Sequence, residues 1–312
     1  MVLVRTILVS CLSGLLCLPL TAEAAESLRL NRIGTAPAAV VPVGPALSES
    51  ERRAHGAPLP DGRVAKANGD IRAVWLSQPT DRYRHGVMGD AIEAGAVTAR
   101  RKDGMLVSFV LPDDSVFEDL HPRLADLDGD GRTEIVLVRS YLTKGAALSI
   151  LGLRNGKLEI LAENTAIGTA NRWLNPSILL DAPDTGEVRV GLVRTPHIGG
   201  QLQIWRYAGG AFRRIAVAEG FSNHTIGSRA LGLSAVLSKG KARRILLPDA
   251  RQRRLLLLDG DQLTILAFVP LPARPVRDFG VQRDTSGHQS VMLVLADGQL
   301  YQLDDPSGHW FD

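Results

Sequence analysis

The sequence predicts an all-β fold. From residue 61 onward, short runs of Val, Ile, Leu and aromatic residues alternate with Gly, Asp, Asn and Lys, whereas helical periodicity is nearly absent. A hydrophobic fraction of 45% excludes a disordered chain. The net charge of +3 is too small for a dedicated nucleic-acid-binding protein. We therefore expect a globular β domain over residues 61–312 that binds no nucleic acid.

The first 24 residues have the pattern of a signal peptide. A short basic start precedes the apolar run Ile7 to Leu20, and Ala22-Glu23-Ala24 provides the small-x-small cleavage pattern. The run is too short to span a bilayer comfortably, and no later stretch is as apolar, so we expect no membrane span. We predict cleavage near Ala24 and a periplasmic or secreted protein. Both cysteines of the chain lie in this segment, so the mature protein needs no disulfide.

Residues 25–60 mix Pro, Ala and charged residues without a regular period. This composition is typical of a linker, and we predict a flexible N-terminal arm that precedes the β domain.

Internal repetition makes a β-propeller of four-stranded antiparallel blades the expected architecture. When the groups are aligned on a turn glycine, spacings of roughly 35 to 55 residues result, as propeller blades have. The aligned glycines are Gly95, Gly131, Gly186, Gly240 and Gly287. The third group shows the internal order most clearly, with strands at 176–181, 187–194, 201–207 and 211–217.

Closure of the ring decides the number of blades. The last group, from near Arg277, contains three clear strands, and the run Ile71 to Leu76 would supply a fourth that joins the two ends of the chain. Five blades result. Six would follow if residues 61–84 held more structure, and two β-sandwiches would fit the same strand spacing.

The most specific motif is the string Asp126-Leu127-Asp128-Gly129-Asp130-Gly131-Arg132-Thr133-Glu134. Carboxylates at alternate positions, a glycine at the sharp turn and a later acidic residue are what a Ca²⁺ ion requires. We predict five ligands, of which Arg132 contributes its backbone carbonyl: Asp126, Asp128, Asp130, Arg132 and Glu134. The position of an EF-hand's closing glutamate is Leu137, within an apolar run, so the loop joins two strands.

With this motif the chain resembles the FG-GAP and VCBS repeat family of integrin-α-like propellers. The resemblance covers roughly residues 85–312, and it includes Asp278-Phe279-Gly280 and the segment 191–207. It implies calcium loops between the first two strands of each blade. The corresponding loop at Asp181 keeps two acidic residues, whereas the loops at 236–241 and 281–287, the latter containing Asp284, have lost most of the ligands. We therefore expect one calcium site whose role is to hold its turn.

The opposite face of such a propeller would carry the candidate ligand site. There the connections between blades and the loops between second and third strands are rich in Arg, His, Asn and aromatic residues, which suit an oxygen-rich, anionic ligand. The predicted ligand-binding residues are Arg82, His85, Glu118, Arg123, Arg172, Asn175, Arg194, His197, Asn223, His224 and Arg229. Polar residues that merely solvate loops are the alternative interpretation.

These observations favour a monomeric binding module for a glycan or an extracellular protein segment. Two alternatives remain open, a lyase or hydrolase of acidic polysaccharides on the same scaffold and a purely structural envelope protein. No catalytic residue is assigned, because no nucleophile motif is present and adjacent Glu118 and Asp119 would diverge in an extended segment. A transition-metal site at His85, His121, His197 and His224 lacks the short spacing that would support it.

Overall fold

A computed structural model describes residues 28–39, 44–306 and 308–311. The predicted signal peptide, residues 1–24, lies outside the described residues. The described chain contains strands β1 to β21, one helix α1 (Glu49–His55) and a short 3-10 helix at His309–Phe311. The predicted all-β class is confirmed, and the strands form four-stranded antiparallel units as in a β-propeller.

The third and fourth blades are separate four-stranded sheets in which sequential strands are neighbours. The third follows the prediction closely, with β11 (Leu174–Ala182), β12 (Glu187–Arg194), β13 (Gln201–Ala208) and β14 (Ala211–Glu219). The fourth has β15 (Ala235–Lys239), β16 (Ala242–Pro248), β17 (Arg254–Asp259) and β18 (Ile265–Pro270). Their central strands are buried, because side chains on both faces pack against neighbouring blades.

The first two blades are joined into one nine-stranded sheet by β6 (Ser115–Phe117), which pairs with β4 (Glu93–Arg101) and with β8 (Glu134–Tyr141). The first blade consists of β2 (Ala65–Lys66), β3 (Ile71–Thr80), β4 (Glu93–Arg101) and β5 (Leu106–Val110). The second consists of β7 (Arg123–Ala125), β8 (Glu134–Tyr141), β9 (Gly145–Arg154) and β10 (Lys157–Glu163).

The last blade corrects the predicted ring closure. Its strands are β19 (Gly280–Arg283), β20 (Gln289–Val294) and β21 (Gln299–Asp304), and its fourth strand is β1 (Arg29–Thr35), which pairs with β21. The run that we assigned to this position lies in β3 and pairs with β4. The physical reason is burial: β3 is largely buried and needs two neighbours, whereas β1 is mostly exposed and fits a sheet edge.

Two further details of the N-terminal half differ from the sequence interpretation. Gly95 was aligned as a turn glycine but lies inside β4. The turn between the first two strands of the first blade contains Gly69 instead, and it follows β2, a strand of only two residues. Part of the predicted arm is also ordered, since α1 begins with a capping box in which Ser48 and Glu51 bond reciprocally. His55 Nδ1 lies 2.8 Å from Ser108 Oγ of β5, which attaches this helix to the first blade.

The first strands of neighbouring blades are linked around a common centre. Arg123 of β7 lies 3.4 Å from Asn175 of β11, and Ser177 Oγ lies 2.7 Å from Ser234 Oγ just before β15. Arg63, which precedes β2, donates to Asp278, which precedes β19, at 2.5 Å. The first and last blades are therefore in contact, and five blades complete the circuit of the described chain.

Candidate functional site

The acidic loop, residues 126–134, connects β7 to β8. Carboxylate oxygens of Asp126, Asp128 and Asp130 lie within 4.8 Å of one another. Gly129 and Gly131 have φ values of 76° and 82°, a region that L side chains rarely adopt. Their backbone N–H groups each donate to a different oxygen of Asp126 at 2.8 Å, so the loop wraps around this carboxylate.

Two buried carboxylate oxygens in this loop have no hydrogen-bond partner among the residues that the structure describes, Asp128 Oδ1 and Glu134 Oε1. Burial raises the pKa of Glu134 to about 7, and burial and neighbouring carboxylates also raise the pKa of Asp128. Concentrated negative charge with unsatisfied oxygens is unfavourable unless a cation neutralises it. Hard oxygen ligands at a tight turn fit Ca²⁺. The close group of carboxylates consists of Asp126, Asp128 and Asp130, and Glu134 does not belong to it.

The acidic residues of the two degenerate loops already have partners, Asp181 in the neighbouring blade and Asp284 in its own turn. Asp181 accepts from Arg243 Nε at 2.8 Å, and Asp284 Oδ1 accepts from the backbone N–H groups of Ser286 and His288 at 2.8 and 3.0 Å. Within the part of the chain that the structure describes, the acidic loop holds the one group of three possible metal ligands.

On the opposite face, five of the predicted ligand-binding residues are buried. They are Glu118, Arg123, Asn175, Asn223 and His224, none of which is more than 9% exposed. Arg123 lies in β7 and pairs with the fully buried Asp119, so it does not stand on an accessible connection between blades as a ligand-binding residue would. The Asn175 and Asn223 side chains each donate to the other residue's carbonyl oxygen, at 3.2 and 2.9 Å. These contacts link blades, because each side chain satisfies a buried backbone acceptor of another segment.

Three predicted arginines contact neighbouring segments and do not line the cavity described below. Arg82 donates to Ser115 O at 2.9 Å, and Arg194 lies 3.4 Å from Ile167 O. Arg229 forms ion pairs with Asp61 and Asp90 at 2.9 and 2.6 Å.

The structure brings the remaining predicted residues, His85, Arg172 and His197, to one cavity of about 270 Å³. We call it the mouth cavity. The other lining residues are Val87, Asn171, Trp173, Thr195, Ile198 and Ile226. The sequence analysis missed the aliphatic members, because an isolated aliphatic residue in a loop carries no signal of chemistry.

A buried carboxylate positions His85. Glu118 is fully buried, and its Oε1 lies 2.6 Å from His85 Nδ1 while Oε2 accepts from Ser140 Oγ. Trp173 Nε1 donates to the Glu118 backbone carbonyl at 3.0 Å. Burial raises the pKa of Glu118, while the hydrogen bonds from His85 and Ser140 oppose that rise. Asp119 points toward Arg123, so the adjacent carboxylates diverge as predicted.

A pair of histidines lies beside Trp173. His197 Nε2 is 2.9 Å from His224 Nδ1, and the His197 ring is parallel to Trp173 within 7° at a centroid distance of 6.3 Å. Burial lowers the pKa of both histidines to about 4. His121 does not join them. Burial, and next the positive charge of Arg123, lowers its pKa to about 4. Its buried Nδ1 has no hydrogen-bond partner among the described residues. The four histidines therefore do not converge on one point.

No protein-family model matches the chain, and no curated protein matches it. A similar solved structure is the quinohemoprotein alcohol dehydrogenase ADHIIG from Pseudomonas putida HK5. The two share 12% identity with a TM-score of 0.48, over 80% of this chain and 49% of that chain. This chain thus spans about half of that structure's length, and a similarity of this size transfers neither cofactor nor activity. No helix in the described ranges is long and apolar enough to cross a membrane.

Proposed function

We propose that this protein is an exported binding module, a calcium-stabilised propeller of the FG-GAP/VCBS type that binds an oxygen-rich ligand in its mouth cavity. One observation carries the proposal: His85, Arg172 and His197, from three different connections, line the same cavity. Each is half-buried and so is partly accessible to a ligand. Propeller blades commonly place binding residues on such loops, because the sheets fix the loops rigidly.

The positive charge of Arg172 favours a ligand that carries an anionic group. The guanidinium of Arg172 makes one hydrogen bond, from Nη1 to Asn171 O at 3.1 Å, and no ion pair with a described residue. Its remaining N–H groups are available for a carboxylate or a similar oxyanion. A glycan with acidic sugars and an acidic protein segment both present such groups.

Calcium would stabilise the fold from the other face. The residues that would hold it are Asp126, Asp128, Asp130 and Glu134, with the Arg132 carbonyl. Bound there, Ca²⁺ would satisfy carboxylate oxygens that otherwise have no partner. The ion would take no part in ligand binding, since the acidic loop and the mouth cavity lie on opposite faces of the propeller.

An enzyme on the same scaffold is a second candidate, because a buried carboxylate orients the cavity imidazole of His85. A hydrogen-bonded Glu–His pair suits proton transfer to or from a substrate. Formation of product from any bound ligand would support this candidate.

The test is a thermal-shift screen of the mature, calcium-loaded protein against acidic and neutral oligosaccharides and acidic peptides. A ligand that binds only the folded state must raise the melting temperature. We expect a shift that the Arg172→Ala variant reduces, whereas Arg84→Ala, which changes an arginine that is 75% exposed and paired with Asp81, keeps it. No shift from any compound would contradict the proposal.

A further inference from the structure

His197 is held in one tautomer by a chain of hydrogen bonds that ends at a backbone carbonyl. His224 Nε2 lies 2.8 Å from Ser228 O, and it carries the proton because a carbonyl oxygen only accepts. The lowered pKa values make both rings neutral at pH 7. His224 Nδ1 is therefore an acceptor, and His197 Nε2, 2.9 Å away, must donate to it. His197 Nδ1 is left with a free lone pair.

His85 presents a second ring nitrogen by a different route. Its Nδ1 lies 2.6 Å from Glu118 Oε1, while Glu118 Oε2 accepts from Ser140, and this contact fixes the orientation of the ring. Among the described residues, neither His85 Nε2 nor His197 Nδ1 has a hydrogen-bond partner, and both rings line the mouth cavity. The cavity thus offers one fixed acceptor, His197 Nδ1, and one oriented nitrogen, His85 Nε2, with which a hydroxyl group can pair as donor or as acceptor.

The rim of the same cavity is aliphatic. Ile198 and Ile226 are 59% and 66% exposed, and they line the cavity from two different loops. Exposed isoleucines beside polar groups indicate a ligand with an apolar face. The volume of about 270 Å³ lies just below the usual range for small-molecule sites, about 300–1,000 Å³, so one ring fits better than an extended chain.

We infer that the mouth cavity takes a sugar ring that donates a hydroxyl hydrogen bond to His197 Nδ1 and pairs a second hydroxyl group with His85 Nε2. The aliphatic C–H face of that ring packs against Ile198 and Ile226. This inference rests on the proposed function and narrows its ligand class. A carboxylate has no proton to donate, so an acidic group at Arg172 contributes to binding only as a substituent of a ring that also carries hydroxyls.

The experiment is an NMR titration of the ¹⁵N-labelled, calcium-loaded protein with D-galactose, D-mannose, D-glucuronate and acetate. We expect a sugar to bind and acetate not to bind. His197→Phe keeps a ring beside Trp173 but removes the acceptor, and loss of one neutral hydrogen bond should weaken binding about three- to tenfold. His288→Phe is the matched control, because His288 lies in the β19–β20 turn on the face of the acidic loop.

Ile226→Ser provides a second variant that keeps the buried network intact, since Ile226 is mostly exposed. It should weaken sugar binding by a similar factor while its spectrum stays that of the folded protein. Sugar binding that survives both substitutions would overturn the inference. Equal binding of acetate and glucuronate, abolished by Arg172→Ala, would also overturn it but would leave the proposed function standing. Absence of binding by every sugar overturns the inference, while the oligosaccharide and peptide screen separately decides the proposed function.

Discussion

The acidic loop takes its carboxylates from residues 126–134, whereas the mouth cavity takes its lining from connections that lie far apart along the chain. In the loop, the spacing of side chains in sequence largely sets their spacing in space. In the mouth, most polar side chains satisfy one another, and only a few remain available to a ligand. The residue pattern therefore predicts which polar side chains lie close together in the first region and fails to do so in the second.

The largest expected effect separates structural residues of the mouth from ligand-binding ones. Arg123→Ala leaves the fully buried Asp119 carboxylate without its cation, and removing one partner of a buried ion pair costs about 3–5 kcal/mol. We expect the free energy of unfolding to fall by that amount in urea denaturation. Arg84→Ala, which breaks a surface pair with Asp81, should cost less than about 1 kcal/mol. Equal effects of the two substitutions would remove the distinction.

The histidine pair gives the mouth a dependence on pH. The folded-state pKa of His224 is about 4, below its ordinary 6.5, so the unfolded state binds more protons between these values. Stability should be complete above pH 6.5 and should fall as the pH is lowered toward 4. The loss attributable to His224 is of the order of 3 kcal/mol. Denaturation curves of the His224→Asn variant should show a flatter pH dependence, whereas those of His288→Asn should match the wild type.

Calcium should stabilise the protein by binding to the acidic loop. At a free Ca²⁺ concentration of 100 times its Kd, one site that binds only the folded state adds about 2.7 kcal/mol. We expect calcium to raise the melting temperature by several degrees and Asp128→Asn to remove most of that rise. Asp284→Asn, in a loop whose carboxylate is already hydrogen-bonded to its own turn, should keep it. Identical melting in calcium and in excess chelator would exclude the site.

The smallest expected effect is that of Arg172→Ala on stability. Arg172 is half-buried and has one hydrogen bond to its neighbour's carbonyl, so its removal should change the free energy of unfolding by less than about 0.5 kcal/mol. A loss as large as that of Arg123→Ala would show that the cavity's arginine is structural too.

The fold could be predicted from the sequence where the signal is local. The four strands of the third blade follow from alternating burial and turn glycines. The three aspartates of the acidic loop lie close together because they stand in one short string of residues. It missed β1, because a mostly exposed edge strand shows little alternation between buried and exposed residues. It missed β2 as well, because two residues are too few for a pattern.

Errors at the mouth have a different cause. Arg123 looks like a surface residue, but β6 and the segment that follows it place Asp119 beside it in the interior. Ile198 and Ile226 look like ordinary loop residues, and only the meeting of their loops makes them a rim. The burial of Arg123 and the meeting of the two isoleucines both depend on contacts between distant segments. Residue type and spacing along the chain do not predict such contacts.

The most direct test of the mouth cavity as a preformed site is a long-range ¹H–¹⁵N spectrum of the histidine side chains at pH 7 without ligand. Assigned by comparison with His197→Phe, the His197 ring should be neutral, with the proton on Nε2 and a bare Nδ1. A charged His197 ring, or one with the proton on Nδ1, would contradict the account, because the cavity would then have lost its fixed acceptor.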